Sequence, residues 1–268
     1  MAISSRVVKI TAKTSLKNNY LSCLFSGLIL IFTIFAGVYI AGNIGFMGYD
    51  WITIPLSALF TFFIVLPLAF GVLRFFWRNM FSVNDYPISV FYYFSDSKLY
   101  KRCIKLSFLL LLKAIIPSLI LAIPVVALWL VTKGIVFEWM NISIPLWTAN
   151  LTYIYIFVKN LAIIILLIYM FKFYLAPLFI ISDENMDVDE AIHMSTVISK
   201  KSSLDFSYLL FSFCGWILLS LLVLPLIFTL PYFFSAYTVH FRFVVAEYNK
   251  HAKNSINNND FPSFTEGV

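Results

Sequence analysis

Long apolar runs separated by short polar segments set the pattern of this chain. A helix needs about 20 apolar residues to cross ~30 Å of hydrocarbon. Predominantly apolar stretches of that order predict six spans, at 21–40, 52–73, 114–131, 151–175, 208–224 and 232–248. Pro55 and Pro67 mark kinks in the second, and Pro117 and Pro124 lie inside the third. The fourth is longer than a bilayer requires. The block Phe206–Phe241 carries no formal charge and is too long for one crossing, so Pro225 and Pro231 are read as bracketing a short turn that divides it.

Three other segments show helical periodicity without being apolar all round. Val7–Asn19 sets basic and apolar residues at helical spacing, the pattern of a helix lying along a membrane surface. Asp85–Leu112 is aromatic and basic, with Phe91, Tyr92, Tyr93, Phe94 and Tyr100 near Lys98, Lys101 and Arg102, and predicts an interfacial helix feeding the third span. Asp187–Lys200 opens with Asp187 and Glu190 at capping-box spacing and places Val188, Ala191, Ile192, Ser195 and Ile198 on one face. Lys200 and Lys201 end it, matching the helix dipole. The expectation is an all-α, polytopic helical membrane protein, with one membrane domain over 1–253 and a polar, disordered tail over 254–268.

Composition supports this reading. Of the 268 residues, 61% are hydrophobic and 12% charged, where a soluble domain carries about 25% charged. A soluble fold of this size could not cover so much apolar surface. A secreted disulfide scaffold, a disordered chain and an ordinary cytosolic enzyme are set aside. Cys23, Cys103 and Cys214 are far apart and match no metal-ligand spacing, so no metal or cofactor is expected.

The net charge of +6 matters through its distribution. Arg6, Lys9, Lys13 and Lys17 precede the first span, and Arg74, Arg78, Lys98, Lys101, Arg102 and Lys105 follow the second. Lys200 and Lys201 sit before the fifth, and Lys250 and Lys253 in the tail, while the opposite loops hold only Lys133. The positive-inside rule then places both termini and the larger loops in the cytoplasm. Membrane lipids are the expected partners, and nucleic acid is not, because no basic stripe interleaved with stacking aromatics lies on a soluble segment. The first apolar run, Leu21–Ile40, exceeds the ~7–15 residues of a signal-peptide core and is read as an uncleaved span. The Asn141-Ile142-Ser143 sequon would face outside.

Charges inside apolar spans are the first place to look for chemistry, since lipid makes them costly by ~2.5–3.5 kcal/mol at a helix centre. Lys159, His240 and Arg242 form the candidate intramembrane polar set. Lys159 lies about 12 Å into the fourth span at 1.5 Å per residue, where it either faces an anionic lipid or substrate or snorkels to the outer interface, the favoured reading. Lys113, Lys172 and Arg242 fall near cytoplasmic ends. His240 has no second His or carboxylate at i+3 or i+4, so a buried, hydrogen-bonded role outweighs metal ligation. Asp183, Glu184, Asp187, Asp189 and Glu190 lack the spacing of a calcium loop and read as capping and solvation. No nucleophile elbow, zinc motif or phosphate loop occurs, and no enzymatic activity is expected.

Tyr169-Met-Phe-Lys-Phe-Tyr-Leu-Ala-Pro-Leu-Phe-Ile-Ile-Ser-Asp183, the helix Asp187–Lys200, Ser212-Phe-Cys-Gly-Trp-Ile-Leu-Leu-Ser220 and Leu230-Pro-Tyr-Phe-Phe-Ser-Ala-Tyr237 together carry a resemblance. The chain resembles the bacterial integral-membrane family called domain of unknown function 975, and more loosely the membrane domain of some glycerophosphodiester phosphodiesterases. Gly215-Trp216 and Pro231-Tyr232 are the most specific positions, and Lys133–Asn150 departs from the short loop of the pattern. The resemblance implies about six spans in a bacterial plasma membrane and no established reaction. Physically, Gly215 admits a close helix neighbour beside Trp216, Pro231 frees a carbonyl near a turn, and Tyr232 suits an aromatic belt. Two functions fit these features: a non-enzymatic accessory or scaffold subunit with a membrane-protein partner or homo-oligomer, and a small-molecule or lipid transporter with a site between helices.

Overall fold

A computed structural model of the chain describes residues 4–17, 19–46, 50–81, 85–133, 148–219 and 224–256, and among these all regular structure is helical. The elements are α1 (Ser5–Lys17), α2 (Tyr20–Phe46), α3 (Asp50–Phe60), a π-helical turn (Thr61–Val65), α4 (Leu66–Met80), a 3-10 turn (Pro87–Phe91) and α5 (Tyr92–Ser95). Then follow α6 (Ser97–Thr132), α7 (Thr148–Phe171), α8 (Ala176–Ser182), α9 (Val188–Leu219) and α10 (Leu224–Ile256). The sequon and residues 257–268 of the expected tail lie outside the described residues, whereas 254–256, expected as disordered tail, continue α10 as helix.

Four stretches are long and apolar enough to cross a membrane: Tyr20–Ile44, Trp51–Met80, Ser97–Thr132 and Leu151–Ser182. Of the expected span 208–224, residues 208–219 fall in α9 and 220–223 lie outside the described residues, while 232–248 falls in α10; their apolar parts run on into Asp205, Lys201 and Lys200 on one helix and Arg242 and Glu247 on the other.

Several boundaries differ from expectation for identifiable reasons. The interfacial helix expected over Asp85–Leu112 is interrupted. Asp96 is extended at φ −119° and ψ 114°, and its Oδ1 accepts the Lys98 N–H at 2.8 Å, so α6 starts at Ser97 and absorbs the third span. The segment Asp187–Lys200 is not a separate interfacial helix. Asp187 caps a helix that meets no proline and continues to Leu219. The turn expected between Pro225 and Pro231 is helical: Pro225 sits in the first turn, where no N–H is required, and the Thr229 hydroxyl donates to its carbonyl at 2.8 Å.

The chain divides into two compact units, Met1–Ser107 with Leu175–Val268, and Phe108–Tyr174. The first holds the buried core. Leu16, Cys23, Leu30, Leu68, Val72, Phe75, Phe76 and Val90 form one cluster, with Tyr232 and Phe234 against it. α1 contributes Val8, Ala12 and Leu16, one face at four-residue spacing, all buried. α10 is the central element, packing on α1, α2, α4 and α9. Close approaches occur where a side chain is missing. A Cβ on Gly27 would stand 3.1 Å from Leu230 Cδ2 and 3.5 Å from Pro231 Cγ, and one on Gly71 would stand 1.7 Å from the Val90 carbonyl oxygen.

The second unit has a different character. It comprises most of α6 together with α7, and none of the most apolar 18-residue window of either candidate span is buried. Ile116, Leu119, Ile120 and Ile123 on α6, and Tyr153, Phe157, Leu167 and Ile168 on α7, are all exposed.

Candidate functional site

In the first unit, charges collect where the turn between α8 and α9 meets the start of α6 and the polar end of α4. Arg74 carries the inner pair. Its Nη2 lies 3.3 Å from Glu184 Oε1, with the arginine side chain only 11% exposed. The guanidinium stands 3.4 Å from the centroid of the Tyr92 ring, and the Tyr92 hydroxyl donates to the same Glu184 oxygen at 3.3 Å. A cation laid on a ring and held by a shared carboxylate has little freedom to turn away. Burial pushes the Tyr92 phenol upward against the opposing effect of Arg74, and burial also raises the neighbouring Tyr93.

Arg102, one helical turn into α6, donates to the main-chain carbonyls of Glu184 and Met186, and at 3.4 Å to that of Asp183. These carbonyls belong to the turn that follows α8, outside any helical hydrogen-bond ladder. Lys105, three residues further along, places its Nζ 3.3 Å from Asp187 Oδ1 and 3.4 Å from Asp189 Oδ2. The Asp187 carboxyl is held below the usual carboxylate range, first by the Val188 N–H and then by Lys105. Asp183 Oδ1 accepts the Asn185 N–H at 2.8 Å and closes the turn. Arg78 Nε lies 2.9 Å from Asp85 Oδ2. The arrangement works as a charged junction that fixes the root of α6 to the α8–α9 turn.

A second polar seam fastens α1. Asn79 is buried; its Oδ1 accepts from Asn19 Nδ2 at 3.0 Å, and its Nδ2 donates to the Ser15 carbonyl at 3.1 Å and to Cys23 Sγ at 3.4 Å. The Ser15 and Ser235 hydroxyls are 2.8 Å apart, and Ser235 donates to the Ala12 carbonyl at 3.2 Å. Lys9 Nζ donates to the Ser212 carbonyl at 2.7 Å and sits 4.6 Å from the Phe213 ring centroid. Partial burial lowers its affinity for a proton. α1 is thereby tied to α4, α9 and α10.

The candidate intramembrane residues occupy different surroundings. Lys159 is exposed on α7 in the second unit, with Tyr155 of its own helix 5.9 Å away. His240 is buried in the first unit, its ring centroid 5.2 Å from that of Phe206. Arg242 is exposed and lies 5.0 Å from the Phe81 ring centroid. Lys172, just past the end of α7, places its Nζ 3.7 Å from the Tyr169 ring centroid. Of the motif positions, Gly215 and Trp216 are both exposed, and a Cβ on Gly215 would meet nothing within 4 Å. The close helix approach expected at Gly215 is made instead at Gly27 against buried Pro231. Tyr232 is half-buried, its ring centroid 5.0 Å from that of Phe213.

The charged junction went unrecognised as a unit in the sequence, where its basic residues read as orientation signals and its acids as caps. The available signal was complementarity: six bases over 74–105 and a run of acids over 183–190 were assigned to the same side. Among the described residues, no three His, Cys, Asp or Glu side chains gather as a metal site requires. No family model, curated protein or solved structure matches the chain, so the resemblance to domain of unknown function 975 rests on the quoted motif residues alone.

Proposed function

We propose that this chain is a non-enzymatic accessory or scaffold subunit of a transport or envelope machine in a bacterial plasma membrane, crossing it six times with both termini in the cytoplasm. The reading extends the four candidate spans by counting the apolar parts of α9 and α10. One observation carries it. The first unit has a dense core and two polar seams, whereas the apolar windows of Ser97–Thr132 and Leu151–Ser182 have no buried residues. Lipid alone tolerates such helices, but Pro124 leaves the carbonyl of Ile120, inside the apolar run, without its helical donor. In hydrocarbon an unsatisfied carbonyl costs several kcal/mol, and neighbouring protein is the usual remedy. A partner subunit or a second copy meets that need.

Native mass spectrometry of the protein extracted from its own host membrane tests the proposal. A stoichiometric second polypeptide, or a homo-oligomer whose contacts include α6, supports it. A monomer with substrate-dependent turnover in liposomes overturns it. The transporter alternative draws on Lys159 and requires that Lys159→Ala abolish flux while the protein still inserts. The exposed setting of Lys159 beside Tyr155 favours snorkelling over that role.

A further inference from the structure

The segment between α4 and α6 has two apolar faces. One is buried: Val90 abuts Gly71, and the Tyr93 ring centroid stands 6.0 Å from that of Phe70. The other faces outward and carries Tyr86, 81% exposed, Ile88, 74% exposed, and the partly exposed Phe91 and Phe94. A surface turn in water places polar side chains outward, and a contiguous apolar patch marks a contact with protein or lipid.

Position and charge decide which. The Tyr100 hydroxyl donates at 3.0 Å to the carbonyl of Phe63, which belongs to the π-helical turn inside the candidate span Trp51–Met80. The first turn of α6, where this segment ends, therefore lies alongside a span. Lys98 and Lys101, at the start of α6, are exposed and pair with no carboxylate side chain among the described residues. Of the two acids at hand, Asp85 pairs with Arg78 at 2.9 Å, and Asp96, which accepts the Lys98 N–H at 2.8 Å, offsets one of the two ammonium charges. Outward aromatic and aliphatic side chains beside a remaining positive charge match the interface of an anionic leaflet.

We propose that Tyr86–Lys101 is an anionic-lipid docking edge. Tyr86, Ile88, Phe91 and Phe94 enter the boundary between headgroups and acyl chains, and Lys98 and Lys101 pair with lipid phosphates. This holds whether the chain is a scaffold or a carrier.

The test uses the full chain in nanodiscs. Cys23 and Cys103 are buried and Cys214 is exposed, so a Cys214→Ser background leaves an added cysteine as the reactive thiol. Spin labels are placed at Ile88→Cys and, as a control in the exposed α8–α9 turn, at Asn185→Cys. The Ile88 label is expected to collide with oxygen in preference to a water-soluble nickel chelate, and the Asn185 label to show the reverse. In a second arm, Lys98→Gln with Lys101→Gln is expected to lower retention of phosphatidylglycerol over phosphatidylcholine in native mass spectrometry by roughly thirtyfold, from about 1 kcal/mol per lysine. An Ile88 label as open to nickel as the Asn185 label overturns the proposal, and so does an unchanged lipid preference in the double variant. The depth measurement keeps both lysines, so it stands even where the double variant fails to insert.

Discussion

The Tyr100 hydroxyl donates to the Phe63 carbonyl at 3.0 Å, across 37 positions of sequence. The residue four places after Phe63, whose N–H an α-helix would aim at that carbonyl, is Pro67. The chain loosens into a π-helical turn over Thr61–Val65 just before the proline, with the Leu66 N–H reaching back to the Thr61 carbonyl. Tyr100 thus supplies the donor that Pro67 lacks. Tyr100→Phe is expected to destabilise the protein by about 1 kcal/mol in thermal melts in detergent. Pro67→Ala restores a backbone N–H, so in that background the loss from Tyr100→Phe should shrink towards zero. Equal losses in the two backgrounds would show that the tyrosine does not serve this carbonyl.

Glycines of the same helical class should separate sharply. Gly71→Ala drives a methyl to 1.7 Å from the Val90 carbonyl oxygen, which is main chain and cannot rotate away. The 3-10 turn must move off α4, at a cost of about 3 kcal/mol or more. Gly215→Ala and Gly42→Ala meet nothing within 4 Å, and should be neutral or gain up to ~1 kcal/mol from helix propensity. Melting temperatures of the three variants, compared in one detergent, check this ranking. A Gly71→Ala protein as stable as the parent would contradict the close contact.

This contrast shows what a sequence can and cannot carry. The helical class was legible because uncharged runs of span length have few other uses, and α1 was legible because Val8, Ala12 and Leu16 repeat at helical spacing. Asp187 was legible as a cap because capping is local. Gly71 and Gly215 look alike in sequence, since a glycine's role depends on what stands opposite. The continuity of α9 was hidden because polarity changes at Lys200 and Lys201 while helix geometry does not. The junction of Arg74, Arg102, Glu184 and Asp187 joins residues about a hundred positions apart, beyond the reach of periodicity.

Acid should loosen that junction in a defined direction. The Asp187 carboxyl is held below its usual range by the Val188 N–H and then by Lys105. A folded-state value below the unfolded one means that the contribution is complete above the ordinary carboxylate range and is lost as pH falls through the lowered folded value. Hydrogen exchange of the amides over 183–189, corrected for intrinsic rate, should therefore accelerate relative to the α10 core on acidification. Asp187→Asn should show the faster exchange already at neutral pH and respond less to acid. A parent protein whose 183–189 amides track the core at every pH would count against the ion pairs as the fastening.

Asn79 gives the most demanding test of the α1 seam. Its amide both accepts from Asn19 and donates to the Ser15 carbonyl and Cys23 sulfur, and its side chain is buried between α1, α2 and α4. Asn79→Leu is close in size but removes both functions, leaving the Ser15 carbonyl and the Asn19 amide short of one partner each. Both groups are part-buried, so each lost hydrogen bond costs about 0.5–1.5 kcal/mol. Asn79→Asp keeps the acceptor for Asn19 but turns the donor into an acceptor facing the Ser15 carbonyl, and should be at least as damaging near neutral pH. Proteolysis of α1 in nanodiscs reads the outcome locally: cleavage within Ser5–Lys17 should quicken at least tenfold for both variants, the factor expected from about 1.4 kcal/mol of local opening. The ties of Lys9 to Ser212 and of Ser15 to Ser235 remain in both variants. If cleavage of α1 is unchanged, those outer ties hold the helix and the asparagine pair does not.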